Sequence, residues 1–289
     1  MKYLALLFFP LALSAQALVG TVDVHVHADP DSRPRSIDAI DLARLAQTRG
    51  MRALVFKNHS ESTAALAYLV RRVVPGIEVF GGIVLNRTVG GINPSAVEQM
   101  TMVKGGWGRV VWMPTSDAES TVCNSAVNPH FVSVSVNGQL RAAVKEVLGI
   151  IAKHKLTLAT GHIAPEESLM LIREARDLGV ERMVMTHAMR CNATLAQMKE
   201  AANLGAYLEF VYNQLLGRNR AHDIKDYAAA IRAVGPEHCI LSGDLGQPDN
   251  PLHPDGLEAF LRGMREQGFT EAQIDQMARK NPAALLGLP

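Results

Sequence analysis

The sequence predicts a single (β/α)8 TIM barrel, an eight-stranded parallel α/β fold with an extra C-terminal helix. Three observations predict it. From residue 20 onward, short β-rich apolar runs alternate with longer amphipathic stretches, and eight such pairs can be counted. Strand and helix alternate without interruption, which implies a parallel sheet joined by right-handed crossovers. An open doubly wound sheet would carry a Gly-rich phosphate loop after its first strand, and "HADPDS" stands there instead.

The elements follow in order. The strand candidates are "TVDVHVH", "RALVFKNH", "IEVFGGIVLN", "GRVVWMPT", "LTLATGHI", "RMVMTHA", "AYLEFVYN" and "HCILSGDLG". Each is short and rich in β-branched or apolar residues. Between them lie helical patterns such as "SIDAIDLARLAQTRG", "STAALAYLVRRVVPG", "LRAAVKEVLGIIAKHK" and "PEESLMLIREARDLG", several opening on Ser or Pro-Glu and closing on Gly. One long connection runs from Ser116 to Asn137. Its "HFVSVSVNG" alternates with period two and ends in Asn-Gly, so a hairpin lid is expected after the fourth strand. Trp107, Trp112 and Met113 are read as core.

Composition narrows the function classes. A chain of 289 residues can bury a substantial core as one barrel. A net charge of +1, with no Lys/Arg run longer than Arg71-Arg72, argues against nucleic acid as a partner. Cys123, Cys191 and Cys239 are far apart and odd in number, which fits neither a CxxC metal site nor a disulfide framework.

The first residues, "MKYLALLFFPLALSAQA", combine a charged start, an apolar stretch and an A-x-A site. They read as a secretory signal peptide over residues 1–17, leaving one domain over 18–289 and no stable membrane span in the mature chain. The expected location is then periplasmic or secreted. It becomes cytoplasmic if the stretch is instead a structural helix closing the bottom of the domain.

In such a barrel, residues at strand C-termini read as catalytic. His25 and His27 end strand one and, one residue apart, project to the same side of a strand with Asp23 behind them. Alone, this HxH fits a chelating pair or a hydrogen-bonded core histidine equally well. The other strand ends decide. His59 closes strand two, two residues after Lys57; His162 closes strand five, His187 strand six and Asp244 strand eight. His154, His222 and His238 fall at helix ends or strand beginnings. A convergent His/Asp set without thiolates suits a divalent zinc, manganese, iron or nickel ion, one or two in number, with zinc the leading expectation, and argues against a closed structural zinc site.

HxH after strand one, His after strands five and six and Asp after strand eight resembles the amidohydrolase superfamily of metal-dependent hydrolases. The resemblance runs from about Gly20 to the C-terminal "ARKNPAALLGL", and "DVHVHADPD", "GMRALVFKNH", "VFGGIVLN" and "RVVWMPT" look closer still to a bacterial branch labelled only as metal-dependent hydrolases. By resemblance, His25 and His27 bind the more buried ion and Asp244 completes its shell and accepts a proton from water. His162 and His187 bind a second ion or place substrate. Phosphotriesterase-like relatives carry a bridging carboxylated lysine or glutamate after strand four, and "RVVWMPT" offers neither. Lys57 on strand two is the alternative: a carboxylation candidate, a general base, an anion anchor, or a snorkelling lysine paired with Asp23 or Glu209.

Arg87, Arg190, Arg218 and Arg220 all follow strand ends, and with Asn213 they are candidate contacts to a carboxylate- or phosphate-bearing small molecule. The expected activity is hydrolysis of an amide, lactone or other ester, with Asp244, Lys57 and His59 as the catalytic set. A decarboxylase or lyase, a metal- or ligand-binding barrel without catalysis, and a metal-dependent nuclease are the rival readings, the last disfavoured by the absence of a basic face. Homo-oligomerisation is left open.

Overall fold

The structure is a computed structural model that describes residues 17–122 and 130–289. The predicted leader lies outside the described residues except for Ala17. The chain runs β1 (Val22–Val26), α1 (Ala39–Thr48), β2 (Ala53–Phe56), α2 (Ala64–Val73), β3 (Glu78–Val84), α3 (Pro94–Met102), β4 (Gly108–Trp112) and a short α4 (Glu119–Val122). A hairpin of β5 (Ser135–Val136) and β6 (Gln139–Leu140) follows, then α5 (Ala142–Lys153), β7 (Thr157–Ala159), α6 (Pro165–Asp177), β8 (Arg182–Met185), α7 (Leu195–Asn203), β9 (Ala206–Val211), α8 (Ile224–Val234) and β10 (Cys239–Ser242). The chain ends in α9 (His253–Glu266), α10 (Glu271–Asp275) and α11 (Asn281–Leu286).

Eight strands pair in the order β1-β2-β3-β4-β7-β8-β9-β10, every pair parallel. A parallel bridge between Val26 and Leu245 joins the last strand back to the first. The amide of Asp244 donates to the His25 carbonyl at 2.8 Å and that of His27 to the Leu245 carbonyl at 2.9 Å. The eight predicted strands are therefore the eight barrel strands, because each is buried on both faces and so stays mostly apolar, interrupted at positions such as Asp23, His25 and Glu209.

Two apolar layers result. Leu54, Phe56, Leu158, Met183, Met185, Leu208, Phe210 and Leu241 point outward to the helices, whereas Ala53, Val55, Phe80, Val110, Ala159, Val184 and Ile240 fill the barrel. The C-terminal helix α11 closes the end opposite the strand C-termini: Ala283, Leu285 and Leu286 pack into the inner layer, and the Thr157 hydroxyl donates to the Leu285 carbonyl at 2.7 Å. Among the described residues, the cavity of the barrel opens over the strand C-termini.

The β5/β6 hairpin turns through Asn137 and Gly138, both with positive φ, as the Asn-Gly pair requires. It is not a lid. Ser135 donates to Glu167 on α6 at 2.7 Å, and none of residues 130–140 lines the cavity at the barrel mouth. Trp112 and Met113 are buried as predicted; Trp107 is partly buried and packs on the core.

Candidate metal centre

Alternation along three strands aims their polar residues inward. On β2, Ala53 and Val55 face the barrel, so Lys57 does too; on β9 the same parity selects Glu209, and on β10 Ile240 selects Ser242 and then Asp244. His187 is different. Val184 points inward and Met183 and Met185 outward, so regular alternation would send His187 to the helices. The chain leaves the strand first, His187 adopts φ +51°, and its ring lies in the mouth. Asp244 also takes a left-handed conformation, at φ +50°.

Two glycines hold this edge together. A Cβ on Gly161 would lie 2.3 Å from the Met113 carbonyl oxygen, and this close approach lets the next residue, His162, donate its amide to the Pro114 carbonyl at 2.9 Å. A Cβ on Gly246, at φ +123°, would lie 2.1 Å from the carbonyl oxygen of His27.

The side chains meet at Asp244. Its Oδ1 is 3.1 Å from Nε2 of His25 and 3.1 Å from Nε2 of His27, and its Oδ2 is 3.8 Å from Nε2 of His187. One ligand atom each from His25, His187 and Asp244 lies within 4.8 Å of the others. The predicted separation into a His25/His27 pair and a His162/His187 pair is thus blurred, since His187 joins the first group. His162 stands farther out, its ring 5.1 Å from that of His187 and 6.3 Å from that of His59.

Behind the donors lies a supporting layer. Nδ1 of His25 donates to Glu209 Oε1 at 3.0 Å, and the Ser242 hydroxyl donates to the same oxygen at 2.7 Å. In the neutral ring this selects the tautomer with a lone pair on Nε2 of His25, the form that can bind an ion. Asp23 Oδ1 accepts the amides of His25 and Gly243 at 3.1 and 3.0 Å. His253 faces the carbonyls of His27 and Leu245 at 2.9 and 2.8 Å, tying the ends of the first and last barrel strands.

Burial and paired charge set the electrostatics. Burial alone would raise Asp244, but His25, His27 and His187 hold it well below the usual carboxylate range, so it is ionised. Burial and the Lys57 amine oppose a protonated His25 ring, and the Asp244 and Glu209 carboxylates overcome them, lifting it to about 9. Burial carries Lys57 down to about 8 against those same carboxylates, and His27 and His187 down to about 3. The carboxylates therefore draw positive charge to His25, while burial holds His27 and His187 neutral.

These residues fit a divalent ion. The donors are nitrogen and oxygen, all buried, and Nδ1 of His27, Nδ1 of His187 and Nε2 of His162 have no hydrogen-bond partner among the described residues. Above them opens a cavity of about 660 Å³, a volume that suits a small molecule.

The other predicted residues divide. Lys57 Nζ lies 2.9 Å from Nε2 of His25 and 5.6 Å from the Trp112 ring, paired with neither Asp23 nor Glu209. His59 lines the mouth with its ring stacked on His27 at 5.0 Å and its Nδ1 2.8 Å from the Thr115 hydroxyl; burial keeps it neutral. Arg190 and Arg218 line the cavity as predicted. Asn213 does too, but its amide is turned away from a substrate role: Nδ2 donates to Asp244 Oδ2 at 3.0 Å, while Oδ1 accepts from Asn219 and Asn250, both at 2.9 Å. Arg87 is misplaced by the sequence reading. A 3-10 turn at Arg87–Val89 carries it to a separate groove with Phe131 and Arg141. Arg220 likewise leaves the mouth and pairs with Asp223. Glu209 was foreseen only as a partner for Lys57, and His253 not at all. An inward-parity glutamate inside an otherwise apolar strand was the signal for the first.

Fold and site together define a (β/α)8 barrel with a buried histidine and carboxylate centre at the C-terminal mouth. Within that class the chain belongs to the family of unknown function DUF6282, which matches residues 20–209. No curated protein sequence matches it. Among solved structures it is similar to an organophosphorus hydrolase from Deinococcus radiodurans, at 17% identity and TM-score 0.65 over 94% of this chain and 93% of that one. It is also similar to a mutant phosphotriesterase-like lactonase of the same organism, at 17% identity and TM-score 0.64 over 96% and 98%. These likenesses establish a shared barrel.

Proposed function

We propose that the chain is a metal-dependent hydrolase that cleaves an amide, lactone or other ester bond of a small molecule. The observation that carries this reading is the buried convergence of His25, His27, His187 and Asp244 beneath the cavity. These four residues would hold a divalent ion, with zinc the first candidate and manganese, iron or nickel the alternatives, and His162 stands where a second ion or a substrate would meet it. When bound, such an ion is a Lewis acid that polarises a carbonyl or phosphoryl oxygen and brings the pKa of water toward about 7.

The chain's own residues supply the rest. Asp244 is ionised, faces the cavity and is held at Oδ2 by Asn213, so it can accept a proton from water without turning. Lys57, beside His25 on the cavity floor, can transfer a proton or steady developing negative charge. Burial beneath the cavity removes competing solvent from both. The hydrolase and lactonase activities named for the similar barrels support the reading by analogy of fold. Export with loss of residues 1–17 is proposed alongside it, on the composition of that stretch.

The test is reconstitution of chelator-treated protein with single divalent ions, followed by assays of amides, lactones and esters in oxygen-18 water. Hydrolysis puts solvent oxygen into the product. Turnover without incorporation establishes a decarboxylase or lyase, and failure to bind any ion removes the proposal.

A further inference from the structure

The cavity wall is far more cationic than the chain. Arg33, Arg35, Lys57, Arg190 and Arg218 line it against a single carboxylate, Asp244, in a protein of net charge +1. These cations are not equivalent. Arg35 is committed to the Asp31 carboxylate, Nε donating to Oδ2 at 2.7 Å and Nη2 standing 2.6 Å from the same oxygen, although Nη2 makes no hydrogen bond among the described residues. Arg218 is exposed and stands 3.9 Å from Asp249, Arg33 is exposed, and Lys57 is engaged with His25.

Arg190 is the exception. Its Nη2 donates to the Thr121 hydroxyl at 3.1 Å, while its Nε is buried with no acceptor among the described residues. No carboxylate pairs with it among the described residues. A buried guanidinium N–H without an acceptor is costly, and a planar fork of such donors matches the two oxygens of a carboxylate or phosphate. Its position is set by the backbone: the amide of Arg190 donates to the His187 carbonyl at 2.7 Å, so one tight turn carries both a candidate metal ligand and this cation.

We propose that Arg190 binds an oxyanion of the substrate, a carboxylate or a phosphate, separate from the bond that is cleaved. The inference deepens the hydrolase reading and rests on it for the cavity being the substrate site. It makes Arg190 a specificity residue: neutral esters and amides of the same size would be poor ligands, and anionic ones would be held with their cleavable bond toward His187 and Asp244.

The test is calorimetric titration of the metal-reconstituted full chain with inorganic phosphate and with succinate, with metal content measured in every sample. Arg190→Gln is expected to weaken binding about tenfold to a hundredfold at unchanged metal content. Arg190→Lys, which keeps the charge without the fork, should fall between and serves if the glutamine variant does not fold. A preference for phosphate or for succinate identifies which oxyanion the substrate carries. Equal affinity in parent and variants overturns the proposal. Loss of anion affinity in a protein that takes up no metal would leave this inference standing and remove the hydrolase reading.

Discussion

Nζ of Lys57 stands 2.9 Å from Nε2 of His25, reached from the neighbouring strand across the pair Val26 and Phe56. The amine therefore sits at the edge of the donor set, too close to be a distant substrate anchor and already in contact with one candidate ligand. Lys57→Ala is expected to keep its first metal ion and lose about a hundredfold or more in turnover, and Lys57→Glu should not restore it. Metal analysis beside steady-state kinetics checks this. Two ions per chain together with a bicarbonate requirement would instead establish a carboxylated, bridging lysine.

Glu209 would act on a bound ion through His25, from whose Nδ1 it accepts a hydrogen bond at 3.0 Å. Replacing it with Gln keeps the size but removes the charge that fixes the His25 tautomer, and metal affinity should fall about 10-fold to 100-fold. Competition with a chromogenic chelator reads this directly. Unchanged affinity would mean that His25 is not a ligand.

Asn213 holds one oxygen of Asp244, and Asn219 and Asn250 hold Asn213 in turn. Asn213→Ala frees the carboxylate to rotate, so kcat should drop about tenfold or more while KM and metal content move little. A rise in KM with kcat intact would return Asn213 to the substrate-binding role expected from sequence.

Gly246→Ala tests the barrel seam. Its Cβ would press on the His27 carbonyl, and the residue would keep a φ of +123° that alanine rarely adopts. A penalty of about 1–3 kcal/mol follows, which should lower Tm by roughly 5 °C and weaken metal binding in the same variant. Thermal unfolding with and without ion separates the two effects.

Removing the ion should itself lower stability. An ion at a hundred times its Kd stabilises the folded state by about 2.7 kcal/mol, so a chelator should lower Tm and a matching divalent ion restore it. A Tm indifferent to both would count against a folded-state metal site.

Much of this was legible in the chain. The eight strands were, because a doubly buried strand writes its burial as a short, largely apolar run. Lys57 and Asp244 were, because each continues the parity of its strand, so that position alone aims the side chain. His187 was found as a strand-end residue, although its ring reaches the cavity only through a left-handed turn that no periodicity encodes. Arg87 and Arg220 failed for the converse reason: past a strand end, a single turn decides which way a long side chain leaves. Glu209 was undervalued because its importance comes from His25, a residue 184 positions away.

His187 and Asp244 both occupy the left-handed region, which side chains with a Cβ enter at a cost. At the first of these positions stability and activity pull in opposite directions. Glycine at 187 would relax the backbone without touching a stabilised charge, so that variant can melt higher than the parent in the absence of metal, whereas glycine or asparagine at 244 would also take away a carboxylate that the neighbouring imidazoles stabilise. Selection of this protein for heat resistance alone would be drawn to residue 187, and the hardiest survivors would be barrels with an incomplete donor set.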